Sequence, residues 1–166
     1  ILDKNETKVY KAEGKLQNLK NLLSEKQNEI SNAKVGIGHI RWATHGLPNE
    51  INAHPHTSNS GSLAIVHNGI IENFKELREK LESKGSIFKS QTDTETIAHL
   101  IAQNYKETKD LKEAVRLSTK ELEGAYALCV IHKDLENTII ATRRNAPLLI
   151  GLGEGENFAA SDVPAI

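Results

Sequence analysis

The sequence predicts an α+β domain in which helices and antiparallel strands occupy separate stretches of the chain. Three observations carry this. Two segments in the middle, starting near residues 92–95 and at Leu111, repeat apolar residues at helical spacing. The last third breaks into short runs of strand type at residues 125–132, 138–143, 147–151 and 157–161. The links between those runs are too short for helical crossovers, so neighbours should pair antiparallel rather than form a doubly wound sheet.

Taken in order, residues 7–12 read as a short strand. Residues 15–30 place Leu16, Leu19, Leu22, Leu23 and Ile30 three and four apart, an amphipathic helix. Residues 35–42 hold Val35, Ile37 and Ile40 between two glycines and read as a buried strand. Residues 46–62 are rich in Gly, Pro, Asn and Ser and read as loop. Residues 63–67 form a compact apolar strand, interrupted at Asn68-Gly69, a dipeptide suited to a turn with positive φ. Phe74, Leu77 and Leu81 give a helical face closed by Gly85 as the C′ residue. Thr92-Asp93-Thr94-Glu95 is an N-cap signature ahead of Ile97, Leu100, Ile101 and Tyr105. A further helix covers residues 111–122 and stops before Gly124.

A chain of 166 residues is about one domain, long enough to bury roughly 70 % of its unfolded surface without metal or disulfide staples. We read residues 1–166 as that single domain. Charges nearly balance, 21 basic against 22 acidic, so no nucleic acid or anionic membrane is expected as a partner. The apolar runs at residues 125–131 and 147–152 are far too short to span a bilayer. One cysteine excludes an internal disulfide and fits a cytoplasmic location. No basic-then-apolar leader is visible, so Asn5-Glu6-Thr7 is read as coincidence rather than a glycosylation site. The chain starts at Ile1 and has no methionine, which points to an internal slice of a longer polypeptide.

Polar residues gather at three places that periodicity leaves unexplained. They are Arg41-Trp42-Ala43-Thr44-His45-Gly46 and His67-Asn68-Gly69 at strand ends, and Thr92-Asp93-Thr94-Glu95 at a helix start. The Arg41 guanidinium matches a carboxylate, and Asp93 offers acceptors to an ammonium. Together they could grip both ends of an amino-acid zwitterion. The Asn68 amide and the Gly69 backbone N–H could act as paired donors for an oxyanion. The set fits acyl chemistry on an amino acid. Singly, each has a plainer reading: a surface ion pair for Arg41, a helix cap for Asp93, a hairpin turn for Asn68-Gly69, core for Trp42.

Seven histidines raise the question of a metal. His54-Pro55-His56, with His45 and His39 nearby, supplies ligand types but no recognised ligand spacing, so no metal or other cofactor is expected. His67, His99 and His132 are read as structural. Cys129 is the only thiol, yet it sits in the apolar strand run Tyr126-Ala127-Leu128-Cys129-Val130-Ile131 and is read as packing.

Several stretches together carry a resemblance. They are Gly38-His39-Ile40-Arg41-Trp42-Ala43-Thr44-His45-Gly46, Asn52-Ala53-His54-Pro55-His56, Val66-His67-Asn68-Gly69-Ile70-Ile71-Glu72-Asn73 and Thr92-Asp93-Thr94-Glu95. Gly124-Ala125-Tyr126-Ala127-Leu128, Pro147-Leu148-Leu149-Ile150-Gly151-Leu152-Gly153 and Glu156-Asn157-Phe158-Ala159-Ala160-Ser161-Asp162 follow. In this order the chain resembles, over nearly its whole length, the glutaminase domains of the class II glutamine amidotransferases, members of the N-terminal-nucleophile hydrolases. Trp42 and His45 favour the branch that converts fructose 6-phosphate to glucosamine 6-phosphate over the purine branch, where that run differs.

The resemblance implies a four-layer αββα sandwich. It implies that Arg41 binds the glutamine α-carboxylate with Thr44 and His45 shaping that end, and that Asp93 pairs with the α-ammonium. It makes Asn68 and Gly69 the oxyanion hole and Trp42 the gate for ammonia. His54 lies near the pocket without an assigned role. It also implies glutamine as substrate, fructose 6-phosphate as the partner of a separate synthase domain, and a homo-oligomeric parent enzyme.

The sequence departs from this pattern in one large respect. The family's nucleophile is an N-terminal cysteine, and neither it nor the segment after it occurs here. We therefore expect the chain alone to lack glutaminase activity, its sandwich to be truncated at the N-terminus, and an edge strand or apolar groove to be open. The alternatives are another class II amidotransferase, a non-catalytic amino-acid-binding module that keeps Arg41 and Asp93, and a loop-bound zinc hydrolase.

Overall fold

The structure, a computed structural model, describes residues 1–41 and 46–166. Its frame is a four-stranded antiparallel sheet of order β3-β4-β5-β6. The strands are β3 (His56–Thr57), β4 (Leu63–Ile71), β5 (Gly124–His132) and β6 (Ile140–Arg144). β4 and β5 pair along their full length, from Leu63 opposite His132 to Ile71 opposite Gly124. Side chains alternate across the pleat, so Leu63, Ile65, His67 and Ile71 share a face with Leu128, Val130 and Tyr126.

That face is covered by helices α3 (Phe74–Ser83), α4 (Asp93–Thr108) and α5 (Leu111–Glu121). Leu77, Leu81, Ile97, Leu100, Ile101 and Leu111 meet the sheet in one buried cluster. Each such side chain contributes about 1.5–3 kcal/mol by leaving water. The expected helix signals operate. Gly85 takes φ +90°, and its N–H and that of Ser86 donate to Glu82 and Leu81, a Schellman ending. Thr92 caps α4 by accepting from the Glu95 N–H. Asp110, not singled out in the sequence, does the same for α5 through Glu113.

The opposite face is covered unevenly. At one end Leu2, Ala64 and Ile131 pack with Val35, Ile37 and Ile139. Leu2 lies in β1 (Leu2–Asp3), which pairs with β2 (Glu6–Thr7). Further along, a groove of about 520 Å³ separates Val66, Ala127 and Cys129 from Ala159 and Ala160. The last two belong to the hairpin β7 (Leu149–Leu152) and β8 (Asn157–Ala160). A short 3₁₀ turn, Val163–Ala165, follows. Among the described residues, no helix is long and apolar enough to cross a membrane.

Five local expectations change. The helix at residues 15–30 divides into α1 (Leu16–Glu25) and α2 (Gln27–Ile30), and neither buries a residue fully. The strand expected at residues 7–12 forms only at its start, in β2. Among the described residues, 36–41 have no ladder partner, and Val35 bridges to Leu2. Asn68-Gly69 is not a turn, because β4 continues through it to Ile71. Gly69 is needed there for close approach: a Cβ would lie 2.0 Å from the Ala125 carbonyl oxygen, at φ +126°. The four late runs also split into two sheets, since among the described residues β6 pairs with β5 and β7 pairs with β8.

Candidate active site

Where β4 leaves the core, its burial changes from buried at His67 to exposed at Asn68 and Gly69. The N-terminus of α4 lies alongside. The two elements are joined by Asp93, whose Oδ2 accepts the Ile71 backbone N–H at 2.9 Å. Asp93 is 4 % exposed, and His67 Nδ1 stands 3.9 Å from the same oxygen.

A cavity of about 330 Å³ opens at this junction. Arg41, Asn68, Gly69 and Asp93 all line it, together with His54 and Thr94. This is at the lower end of the range for small-molecule sites, ample for an amino acid. Arg41 is half-buried, and its Nη1 donates to the Leu47 carbonyl at 3.2 Å. A cation, a carboxylate and amide donors thus face a common space, although they come from a coil, a helix start and a strand end. Trp42, Thr44 and His45 lie outside the described residues.

The loop before β3 adds a cluster that local sequence patterns do not show. His39 Nε2 is 2.7 Å from Asn68 Oδ1, and His39 Nδ1 is 3.0 Å from His54 Nδ1. His54 Nε2 is 2.9 Å from Thr94 Oγ1, which is 2.9 Å from His67 Nδ1. His56 packs edge-on against His54 and reaches Thr92 Oγ1 at 3.1 Å. These imidazole nitrogens pair with one another, with Asn68 and with two threonines instead of converging on one point, and His67 Nε2 is left without a partner among the described residues. Among the described residues, no group of three or more His, Cys, Asp or Glu could hold a metal ion.

Burial sets the charge state of this cluster. It pushes His39 down, and it pushes His54 far below the ordinary histidine value, with His39, His56, His67 and Arg41 adding repulsion. His56 falls to about 4 through burial and the Lys11 charge. His67 falls to about 4 through burial, against the opposing pull of Asp93. The rings are therefore neutral near pH 7. Glu95, beneath them, behaves oppositely. Burial disfavours its charge, but the His99 imidazole 3.6 Å from Oε1, the nearby Ser90 hydroxyl and hydrogen bonds from the Lys89 and Ser90 N–H groups hold it down to about 2.

His39, His67 and Thr94 were not expected to work together. The available signal was density: five of the seven histidines fall between residues 39 and 67. Cys129 lies half-buried in the neighbouring groove, and burial raises its thiol above the ordinary value. That is the environment of a packing thiol.

A helix-covered antiparallel sheet with this cavity at a strand end fits the class of N-terminal-nucleophile-type amidotransferases. Solved structures agree. A glutamine phosphoribosylpyrophosphate amidotransferase from B. subtilis superimposes with TM-score 0.56 at 35 % identity, over 73 % of this chain and 26 % of that one. An allosteric regulatory enzyme of purine biosynthesis gives 0.60 at 36 %, over 74 % and 27 %. Residues 1–166 match the glutamine amidotransferase domain, and the chain belongs to that family. Among curated proteins, it is 54 % identical to glutamine–fructose-6-phosphate aminotransferase (isomerizing) of Aquifex aeolicus, over 95 % of this chain and 26 % of the relative. It is 52 % identical to the protein of that name from Streptomyces coelicolor, over 93 % and 25 %. The chain thus spans about a quarter of the length of these relatives.

Proposed function

We propose that this chain is the glutamine-holding and oxyanion-stabilising part of a glutaminase. The ammonia it helps release would serve a synthase portion of a longer enzyme, which converts fructose 6-phosphate to glucosamine 6-phosphate. The carrying observation is the shared cavity of Arg41, Asn68, Gly69 and Asp93. In this reading Arg41 binds the α-carboxylate and Asp93 the α-ammonium, which fixes the side-chain amide at the β4 end. The Asn68 amide and Gly69 N–H then donate to the oxygen that becomes negative when the amide carbon turns tetrahedral. Losing one such donor typically costs about 2.7–4 kcal/mol of transition-state stabilisation.

The raised thiol of Cys129 does not provide the attacking thiolate. That role falls to an N-terminal cysteine outside these 166 residues. Thr44 and His45 complete the carboxylate end, and Trp42 gates ammonia. The parent enzyme is cytoplasmic and homo-oligomeric in this reading.

A nuclear magnetic resonance titration of the chain with L-glutamine tests it. Saturable shifts should appear at the Gly69 N–H and the Asn68 side-chain amide, and D-glutamine should not reproduce them. A folded chain whose Gly69 and Asn68 signals ignore L-glutamine would end the proposal.

A further inference from the structure

We infer that His39 is a positioning residue for Asn68, held in one tautomer by a one-way hydrogen-bond chain that starts at His67 and runs through Thr94 and His54. The inference rests on the proposed glutaminase reading for the purpose of the chain, but not for its existence. Four contacts of 2.7–3.0 Å link the groups in sequence: His67 Nδ1 to Thr94 Oγ1, Thr94 Oγ1 to His54 Nε2, His54 Nδ1 to His39 Nδ1, and His39 Nε2 to Asn68 Oδ1.

Each neutral imidazole has one N–H and one bare nitrogen, and a hydroxyl donates once. Fixing any link therefore fixes all of them. Asn68 Oδ1 accepts only, so His39 Nε2 carries the proton and its Nδ1 is bare. His54 must then donate from Nδ1 and accept at Nε2. Thr94 gives its hydroxyl proton to His54 and accepts from His67 Nδ1–H. His67 Nε2 is left as a bare lone pair.

The far end of the chain decides its direction. His67 Nε2 is buried without a partner among the described residues. Run as above, the chain leaves an unpaired acceptor there. Run in reverse, with Asn68 turned over, it leaves a buried unpaired N–H, the rarer and costlier defect. Burial also keeps these rings neutral, as the scheme requires.

The consequence falls on the amide. With Oδ1 held by His39, Asn68 can present only its NH2 to the cavity. That is the end an oxyanion needs. Aligned donors also polarise one another, by about 10–30 % per bond. His39, in the wall of the same cavity, thus selects which face of Asn68 the reaction meets. Thr94, on α4, ties that choice to the helix that carries Asp93.

The test is nitrogen-15 spectroscopy of the histidine rings in the intact chain near pH 7.5. We expect His39 with Nε2 protonated and Nδ1 bare, and His54 and His67 with Nδ1 protonated and Nε2 bare. Thr94→Val removes the hydroxyl, so His39 should populate both tautomers and the Asn68 amide signals should shift. Thr94→Ser should restore the wild-type pattern. His39 protonated at Nδ1, or as imidazolium, would overturn the inference, as would a Thr94→Val spectrum identical to wild type in a folded chain. A glutamine titration on the same samples keeps the two readings apart. Correct tautomers without glutamine shifts would sink the function and leave the chain of bonds standing. Glutamine shifts with the wrong His39 tautomer would do the reverse.

Discussion

The carboxylate of Asp93 accepts the backbone N–H of Ile71 at 2.9 Å, so the first turn of α4 is tied to the last residue of β4. With the His67–Thr94 contact, this bond joins the two elements that carry the proposed ammonium partner and the proposed oxyanion donors. It also leaves the negative charge of Asp93 at the wall of the cavity.

Asp93→Asn separates these roles. The amide oxygen can still accept from Ile71, so the fold should survive with little loss of stability. The charge that would meet an α-ammonium is gone. L-Glutamine affinity should fall about tenfold or more, equivalent to about 1.4 kcal/mol per decade. Calorimetric titration of the variant against wild type checks this, with urea unfolding as the control. Equal affinities would remove Asp93 from the substrate site.

Gly69→Ala should act on the frame itself. The new methyl would meet the Ala125 carbonyl oxygen at 2.0 Å, and φ +126° disfavours any side chain. The full-length β4–β5 ladder cannot shift without losing register, so we expect a loss of roughly 3 kcal/mol in urea unfolding. A loss below about 1 kcal/mol would mean the strand end relaxes freely.

The same residue shows what was legible in the sequence. Asn68-Gly69 was recognisable as special, because glycine after asparagine marks positive φ. The reason was not recognisable, since a turn and a close strand approach demand the same residue. Gly85 and Thr92 were readable because capping is local chemistry. Arg41 and Asp93 were readable as complementary charges, but their shared cavity depends on packing across about fifty residues. The histidine chain was illegible for the same reason. His39, His54, Asn68 and Thr94 meet through contacts 15 to 40 residues apart, which no periodicity records. Residues 36–41 misled because their apolar spacing resembles a strand, while the chain there follows the sheet face without joining a ladder.

Cys129 should behave as packing, not as a nucleophile. Burial raises its thiol, so the thiolate that would react is scarce at pH 7. Alkylation by iodoacetamide should be slower in the folded chain than in denaturant, and the chain alone should release no glutamate from glutamine. Cys129→Ala should leave the glutamine-induced shift at Gly69 unchanged. Glutamate release that disappears in Cys129→Ala would make this thiol the nucleophile after all.

The neutral histidines predict how stability depends on acid. His56 and His67 have folded values near 4, below the ordinary 6.5 of an unfolded chain. Above pH 6.5 both states are neutral and these groups add no pH dependence. Between 6.5 and 4 the unfolded chain binds protons that the folded chain refuses, so stability falls as pH falls. Below 4 both states are protonated and these two contribute no further loss. Each shift corresponds to on the order of 3 kcal/mol at full extent. Burial sets the sign and the facing groups modify it: Asp93 favours protonation of His67 while His39 opposes it. Glu95 favours protonation of His56 while Lys11 and Arg41 oppose it. Burial outweighs both carboxylates. Glu95, held down to about 2, adds a second loss from pH 4.5 downward. Urea unfolding at pH 7.5, 6 and 5 should therefore show a midpoint that drops steadily, and His67→Gln should flatten the drop. A midpoint constant between pH 7.5 and 5 would mean that these rings carry protons in the folded chain and that the cluster is not the neutral network described.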